Sequence, residues 1–228
     1  MTTKQTQTRK DAIRVFVVDD HPVVRQGLAQ LIQQESDMVF SGEAETASDA
    51  LQKIAAAPPD IALVDISLKD TSGLELIKDL KIRHPDLPVL VLSMHDEGLY
   101  AERILRAGAR GYVMKEEAIE KVVSAIRRVL RGEIYLSDRM SANMLSKFVE
   151  GRPEASRFPI ERLSDRELEV FQFIGQGLGT RQTAERLHLS IKTIESHREN
   201  IKRKLKLTNA TELLQHAIQW VRSEMAAK

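Results

Sequence analysis

From residue 13 to about residue 131 the chain alternates between two spacings of apolar residues. Short runs rich in β-branched residues, IRVFVV, MVF, IALVDI, PVLVLS and GYVM, are apolar at successive positions, which predicts strands buried on both faces. Between them, over roughly 21–35, 46–57, 73–83, 97–107 and 117–131, apolar residues recur at helical spacing. Five such units predict an α/β fold: a flavodoxin-like, doubly wound (βα)5 domain with helices on both sides of a parallel sheet. Beyond it, SDRMSANMLSKFV sets Met140, Met144, Leu145 and Phe148 at helical spacing and predicts a connecting helix. GRPEASRFPI, with two prolines, a glycine and no apolar period, reads as a linker. After residue 160 no strand-like run remains. Four helical segments are expected there, starting at Ser164 with Glu167 as a capping box, at Thr180, at Ser190, and at Asn209 with Glu212. Gly175, Gly177 and Gly179 separate the first from the second. The expected organisation is a disordered tail at 1–11, an α/β domain at 12–133, a connecting helix and linker at 134–160, and a small all-α four-helix domain at 161–228.

Composition sharpens this division. The 228 residues are 42% hydrophobic and 29% charged, and the net charge is +1. That near-neutral total conceals an asymmetry. Residues 152–228 carry 14 Lys and Arg against 10 Asp and Glu, while residues 1–151 carry 20 against 23. A basic second domain fits an anionic partner. The absence of cysteine excludes disulfides, thiolate catalysis and Cys-ligated zinc. No apolar run approaches the roughly 18 residues that span a bilayer, and the polar opening MTTKQTQTRK is unlike a secretory signal. A cytoplasmic protein with no membrane association is the expectation.

The stretch VFVVDDHPVV ends an apolar strand in adjacent carboxylates, Asp19 and Asp20. Alone, such a pair marks a turn more often than a site. Asp65, however, lies near the end of the third strand, Ser93 ends the fourth, and Lys115 follows the fifth. With strand order 2-1-3-4-5, these groups converge at the carboxyl edge of the sheet, where doubly wound folds bind ligands. Three close carboxylates call for a hard cation, and Mg2+ prefers oxygen ligands.

Residues 13–131 resemble the receiver domain of two-component response regulators, on the strength of Asp19-Asp20, Asp65 in LVDISLKDTSG, Ser93 in VLSMHDE and Lys115 in GYVMK. The resemblance implies that Asp65 is the phosphoacceptor. It further implies that Asp20 and Asp65 hold Mg2+ directly, Asp19 helps through water, and the backbone carbonyl of Ser67 completes the protein ligands. Lys115 would pair with the phosphoryl oxygens and Ser93 would hydrogen-bond one of them. Tyr112 matches the family's switch aromatic; as a residue in its own right it reads equally as a half-buried strand tyrosine. Two positions depart from the family pattern: Lys69 and Glu116 stand where prolines are usual.

The segment LSIKTIESHRENIKRKLKL, 189–207, carries six basic residues against Glu195 and Glu199, with Ile191, Ile194, Ile201 and Leu205 near helical period. A short helix from Thr180 to Leu187, a turn at His188-Leu189-Ser190, and the small Ala184 for close helix crossing give helix-turn-helix spacing. Residues 163–220, through LSDRELEV, TRQTAERLHLSIKTIESHRENIKRKL and NATELL, resemble the LuxR-type DNA-binding domain. Thr183 departs from that pattern by standing where isoleucine is commoner. The two resemblances together identify the chain as similar to NarL/FixJ-type response regulators. That implies a transcription factor and not an enzyme, with a sensor histidine kinase, double-stranded promoter DNA and RNA polymerase as partners and a homodimer on phosphorylation. Lys192, Thr193, Glu195, Ser196 and Glu199 are the expected groove-facing residues. Lys192, Arg198 and Lys202 are expected on phosphates, and His197 lies within the same contacting stretch. Two other readings compete. A phosphohydrolase of the haloacid-dehalogenase type would need DxD on the first strand, where this chain has DDH; a constitutive DNA binder would lack one acid or the lysine, and this chain keeps them all.

Overall fold

The computed structural model describes residues 12–68, 72–94, 97–116, 119–149, 159–187 and 189–226. Two compact units divide the chain, residues 1–141 and 142–228. The polar tail, Lys69, most of the 151–160 linker and His188 lie outside the described residues.

In the first unit β1 (Ile13–Val18), β2 (Met38–Ala44), β3 (Ile61–Asp65), β4 (Val89–Ser93) and β5 (Gly111–Met114) form one parallel sheet in the order β2-β1-β3-β4-β5. The interleaved helices are α1 (Pro22–Gln34), α2 (Ala47–Ala56), α3 (Gly73–Arg83), α4 (Glu97–Ala107) and α5 (Ile119–Leu130). Val15, Val17, Ile61, Leu63, Leu90, Leu92 and Val113 point to one side and pack with Leu28, Leu31, Ile32, Val122, Val123 and Ile126 of α1 and α5. The alternate strand residues Phe16, Val18, Ala62, Val64, Val91 and Tyr112 are equally buried and face the other side, as a pleat requires. β2 runs longer than its apolar MVF. The added SGEA residues are mostly half-buried, because an edge strand needs little apolar side chain to pair.

The segment after α5 joins the receiver-like unit more closely than a linker would. Tyr135 forms a parallel bridge to Gly111, with Tyr112 N–H donating to the Tyr135 carbonyl at 2.9 Å and Tyr135 N–H to the Arg110 carbonyl at 3.0 Å. Gly111 is required: a Cβ there would sit 2.9 Å from the Tyr135 carbonyl oxygen. Leu136 and Met140 are buried. The connecting helix α6 (Asp138–Val149) is capped by Ser137, whose hydroxyl accepts from Met140 N–H at 3.1 Å. Ser137 in turn donates its N–H, at 2.8 Å, and its hydroxyl to the buried carboxylate of Glu97. Of the expected apolar stripe on α6, Met140 is buried, Met144 half-buried and Leu145 exposed, so the stripe is narrower than its spacing suggests. Ser137→Ala removes a cap and leaves Glu97 with a donor missing, at an expected cost of about 1–3 kcal/mol to the first unit. Circular dichroism melts should shift while Trp220 fluorescence, which reports the second unit, does not.

The second unit contains a 3-10 turn (Pro159–Arg162), then α7 (Asp165–Gly175), α8 (Thr180–Arg186), α9 (Ile191–Leu205) and α10 (Ala210–Ala226). Ser164 and Glu167 form the capping box of α7, Ser190 caps α9 through Thr193 N–H, and Asn209 Oδ1 accepts from Glu212 N–H at 2.9 Å. α8 starts at Thr180, as expected, though its cap carries no side-chain oxygen. Gly179 is its cap and Thr180 its first helical residue, with Gln182 Oε1 accepting from Gly179 N–H at 2.9 Å. The three glycines also separate in role. Gly177 takes φ +87, which ends α7, whereas Gly175 is helical and lets α10 approach: a Cβ there would meet the Ala217 carbonyl oxygen at 2.4 Å. Thr183 is fully buried without penalty, its hydroxyl donating to the Gly179 carbonyl at 3.0 Å.

Candidate functional site

Each acidic group sits where its strand ends. Asp65 closes β3 and is 3% exposed; Asp19 follows β1 and is 1% exposed. Lys115 Nζ lies 2.6 Å from Asp19 Oδ2 and 2.6 Å from Asp65 Oδ2, so one ammonium bridges two strand ends. Its backbone N–H donates to the Ser93 carbonyl at 2.9 Å, which ties the lysine to β4, where Ser93 is wholly buried. Asp19 is further held by His21 N–H, 2.8 Å from its Oδ1. Asp20 is treated differently. Its Oδ1 is buried and has no hydrogen-bond partner among the described residues; His21 Nδ1 stands 2.7 Å away but without hydrogen-bond alignment.

One ammonium does not balance three carboxylates. Burial pushes the Asp65 carboxyl up to about 6, against the pull of Lys115, and the Asp19 charge adds to the rise. Burial also works to lower the Lys115 ammonium, but the Asp65 and Asp19 carboxylates outweigh it and hold the group above its usual value. Ligand atoms from Asp19, Asp20, His21 and Asp65 all fall within 4.8 Å of one another. An excess of negative charge, oxygen donors and an orphaned buried carboxylate oxygen together fit a hard divalent cation. Ser67, the expected carbonyl donor, is exposed two residues past Asp65, where its backbone hydrogen-bonds the Asp65 carboxylate and its bridge to Ser72 closes the loop. Tyr112 is wholly buried at 1% exposure, not half-buried, although β5 is an edge strand, because the Tyr135 segment pairs along that edge. No described peptide bond is cis, so Glu116 follows Lys115 in the ordinary trans geometry.

In the second unit the two faces of α9 divide its expected DNA contacts. Ile194 and Ile201 are fully buried, whereas Ile191 is 43% exposed and outside the packed stripe. Lys192, Glu195, Ser196, Glu199 and Arg203 are exposed at helical spacing on the opposite face. Thr193 is half-buried and spent on the cap, its hydroxyl 2.7 Å from that of Ser190. His197 and Arg198 flank the buried isoleucines. Burial holds the His197 imidazole below its usual pKa. Arg198 lines a shallow cavity with Leu178, Thr180, Thr211 and Leu214, away from the exposed face. Lys202 pairs with Glu199 at 2.8 Å and not with Glu195.

Residues 15–127 match the response regulator receiver domain family, and residues 161–217 match the luxR family of bacterial regulatory proteins. Oxygen regulatory protein NreC of Staphylococcus carnosus is 33% identical over 210 residues, 90% of this chain and 97% of NreC. The NreC of Staphylococcus epidermidis is 32% identical over 211 residues, with the same shares. Among solved structures, RcsB of Salmonella enterica serovar Typhimurium bound to promoter rprA with the phosphomimetic BeF3- is 26% identical. It covers 90% of this chain and 98% of that one, at a TM-score of 0.65.

The chain belongs to the NarL/FixJ-type response regulators.

As such, this response regulator is a two-component transcription factor and not an enzyme. Gly73, Arg181 and Arg186 were not singled out in the sequence, whereas Arg203 was counted among the six basic residues of 189–207. Gly73 opens α3 so close to the phosphoacceptor strand that a Cβ would lie 2.0 Å from the Asp65 carbonyl oxygen, and the TSG triplet after Asp65 was its only signal. Arg181 and Arg186 are exposed on α8, and Arg203 is exposed on α9 beside Asn200, at 2.9 Å. Clustered arginines on both helices of the turn were visible in the sequence, but the basic count of α9 alone drew attention.

Proposed function

We propose that Asp65 is the phosphoacceptor of this response regulator, and that its phosphorylation by a sensor histidine kinase controls binding of the helix-turn-helix unit to double-stranded promoter DNA. The observation carrying this reading is Lys115 Nζ, 2.6 Å from both Asp19 and Asp65 at the ends of neighbouring strands. An Asp65 carboxylate oxygen attacks phosphorus, the bond to the donor's leaving group breaks, and an acyl phosphate forms. Lys115 then pairs with the phosphoryl oxygens, and Ser93 donates to one of them. Asp19, Asp20 and Asp65, with the Ser67 carbonyl, would hold Mg2+, which when bound offsets charge on the transferring group. Tyr112 and Ser93 are the switch residues, and Tyr112 N–H is already bonded to the Tyr135 carbonyl ahead of the connecting helix.

The partners follow from the same reading. Solved relatives include two RcsB dimers bound to two parallel DNAs, which supports a homodimer on phosphorylation. On α10, Leu213 and Ala217 belong to the core, Ile218 and Val221 are half-buried, and Leu214, 40% exposed, is available for a two-fold contact. RNA polymerase is the further expected partner. No helix among the described residues is long and apolar enough to cross a membrane, in keeping with a cytoplasmic DNA-binding regulator. In this reading the chain comprises a receiver at 12–133, a connector at 134–160 and a DNA-binding domain at 161–228.

The test is affinity for a site selected from genomic DNA, with and without BeF3- and Mg2+. Phosphomimetic should tighten binding at least about tenfold, roughly 1.4 kcal/mol; equal affinity in both states overturns the reading. On the same site, Glu195→Ala should relax discrimination at one base pair by about 1–3 kcal/mol while non-specific binding holds or tightens. Lys192→Ala should weaken every sequence alike and lower the salt slope by about one.

A further inference from the structure

Each acid of the pair is held by a different device. Asp19 has its carboxylate fixed, by His21 N–H at 2.8 Å and by Lys115 at 2.6 Å. The Asp20 carboxylate is held differently: its buried Oδ1 has no hydrogen-bond partner among the described residues, and His21 Nδ1 stands 2.7 Å away out of hydrogen-bond alignment. What is fixed is the peptide that carries it. Arg25 Nη1, from the second turn of α1, donates to the Asp19 carbonyl oxygen at 2.7 Å. Because a peptide unit is planar, pinning that oxygen sets the plane containing the Asp20 nitrogen and Cα. The orientation of the Asp20 side chain then depends on few remaining torsions. Arg25 also pairs by charge with Glu43 of β2, whose Oε1 lies 3.2 Å from its Nε without hydrogen-bond alignment, and its side chain is 12% exposed.

We propose that Arg25 is a positioning residue for the cation: it holds the acid pair by its backbone and leaves the carboxylate oxygens free for a divalent metal. This deepens the Mg2+ reading given above and rests on it. The chemistry favours arginine. A cation pairing directly with Asp20 would occupy the lone pairs a metal needs, whereas a guanidinium on the carbonyl adds positive charge nearby without taking them. Its guanidinium also donates to the Asp19 carbonyl just past β1 while its charge faces Glu43 on β2, which a lysine ammonium does with less directional constraint. Arg25 touches neither the phosphodonor nor Asp65, so its effect should appear in metal affinity and not in the chemical step.

Isothermal titration of Mg2+ into the full-length wild type, Arg25→Gln and Arg25→Lys tests this without any phosphodonor. Groups that orient metal ligands typically change affinity by 10–100-fold when removed. Arg25→Gln is expected to weaken Mg2+ by about tenfold, and Arg25→Lys by less. Glu43→Gln should shift it in the same direction by a smaller factor. A parallel assay follows Asp65 phosphorylation from acetyl phosphate against Mg2+ concentration. Half-saturation should rise in Arg25→Gln while the rate at saturating Mg2+ stays within about twofold of wild type. Unchanged Mg2+ affinity in Arg25→Gln overturns the proposal. So does a fall in the saturated rate with half-saturation unmoved. Asp20→Asn separates the two readings. Loss of Mg2+ binding in that variant with none in Arg25→Gln sinks only the arginine's role, whereas a wild type that takes up phosphoryl groups without Mg2+ dependence removes both.

Discussion

Asp65→Asn is expected to abolish phosphoryl uptake from acetyl phosphate while making the metal-free protein more stable. The wild type should take up one phosphoryl group, released by hydroxylamine as an acyl phosphate is, and the variant should remain at background. The reason is chemical: the amide offers no anionic oxygen to attack phosphorus. Labelling of the variant to the wild-type level would remove Asp65 from its role. The stability arm follows from the same burial. The Asp65 carboxyl is raised from 3.8 to about 6, so the folded chain binds a proton in that window that the unfolded chain has released. Folding stability therefore falls as pH rises from 3.8 towards 6, and the loss is complete above it. At 1.36 kcal/mol for each pK unit, that is at most about 3 kcal/mol at pH 7.5 with chelator present. Asp65→Asn should regain part of it in circular dichroism melts, and added Mg2+ should stabilise the wild type more than the variant.

Glu167→Ala should cost the second unit about 2–4 kcal/mol, a large part of what a small helical domain has. Glu167 is 4% exposed and serves two partners: Ser164 N–H, 2.7 Å from its Oε2, and Lys204 Nζ at the end of α9, 2.6 Å from the same oxygen. One carboxylate thus completes the capping box of α7 and joins the first helix of the unit to the recognition helix. Removing it forfeits a cap and a charge-assisted bond together. Burial works to raise the Glu167 pKa, but the Lys204 and Ser164 hydrogen bonds outweigh it and hold the carboxyl below 4.5. A depressed carboxyl stabilises above its unfolded pKa and ceases to do so as pH falls through its folded value. The wild type should therefore lose stability relative to Glu167→Gln below pH 4.5, and the two should run parallel above it. Trp220, the single tryptophan, lies 5.6 Å from the Phe171 ring, so its fluorescence follows this unit within the full chain. A Glu167→Ala melt that matches wild type at pH 7 would show that the bond contributes nothing net.

The acid pocket was readable in one dimension because its groups sit at strand ends. A parallel sheet brings every carboxyl end to one edge, so Asp19, Asp65, Ser93 and Lys115 converge whatever the details of packing. The recognition helix was readable only in part. Its existence and its Ser190 cap follow from local spacing, yet which face is packed depends on what α7 and α10 present. Ile191 counted as core by period and proved 43% exposed, while Arg198, expected on a phosphate, is half-buried and lines a shallow surface cavity. A charged residue looks the same in a sequence whether it faces water or flanks a buried stripe.

Local pattern and short-range capping thus determined the five β/α units, the starts of α7 and α9 and the residue types of the acid pocket, since each follows from spacing within a few turns or from the common polarity of parallel strands. Tertiary structure alone decided that Arg25 grips the Asp19 carbonyl, that Glu97 holds Ser137 forty residues away, that Tyr135 closes the free edge of β5, and that Lys204 ends on Glu167. These contacts join residues on separate elements, whose approach is set by how whole helices and strands pack, and no periodicity along the chain carries that information.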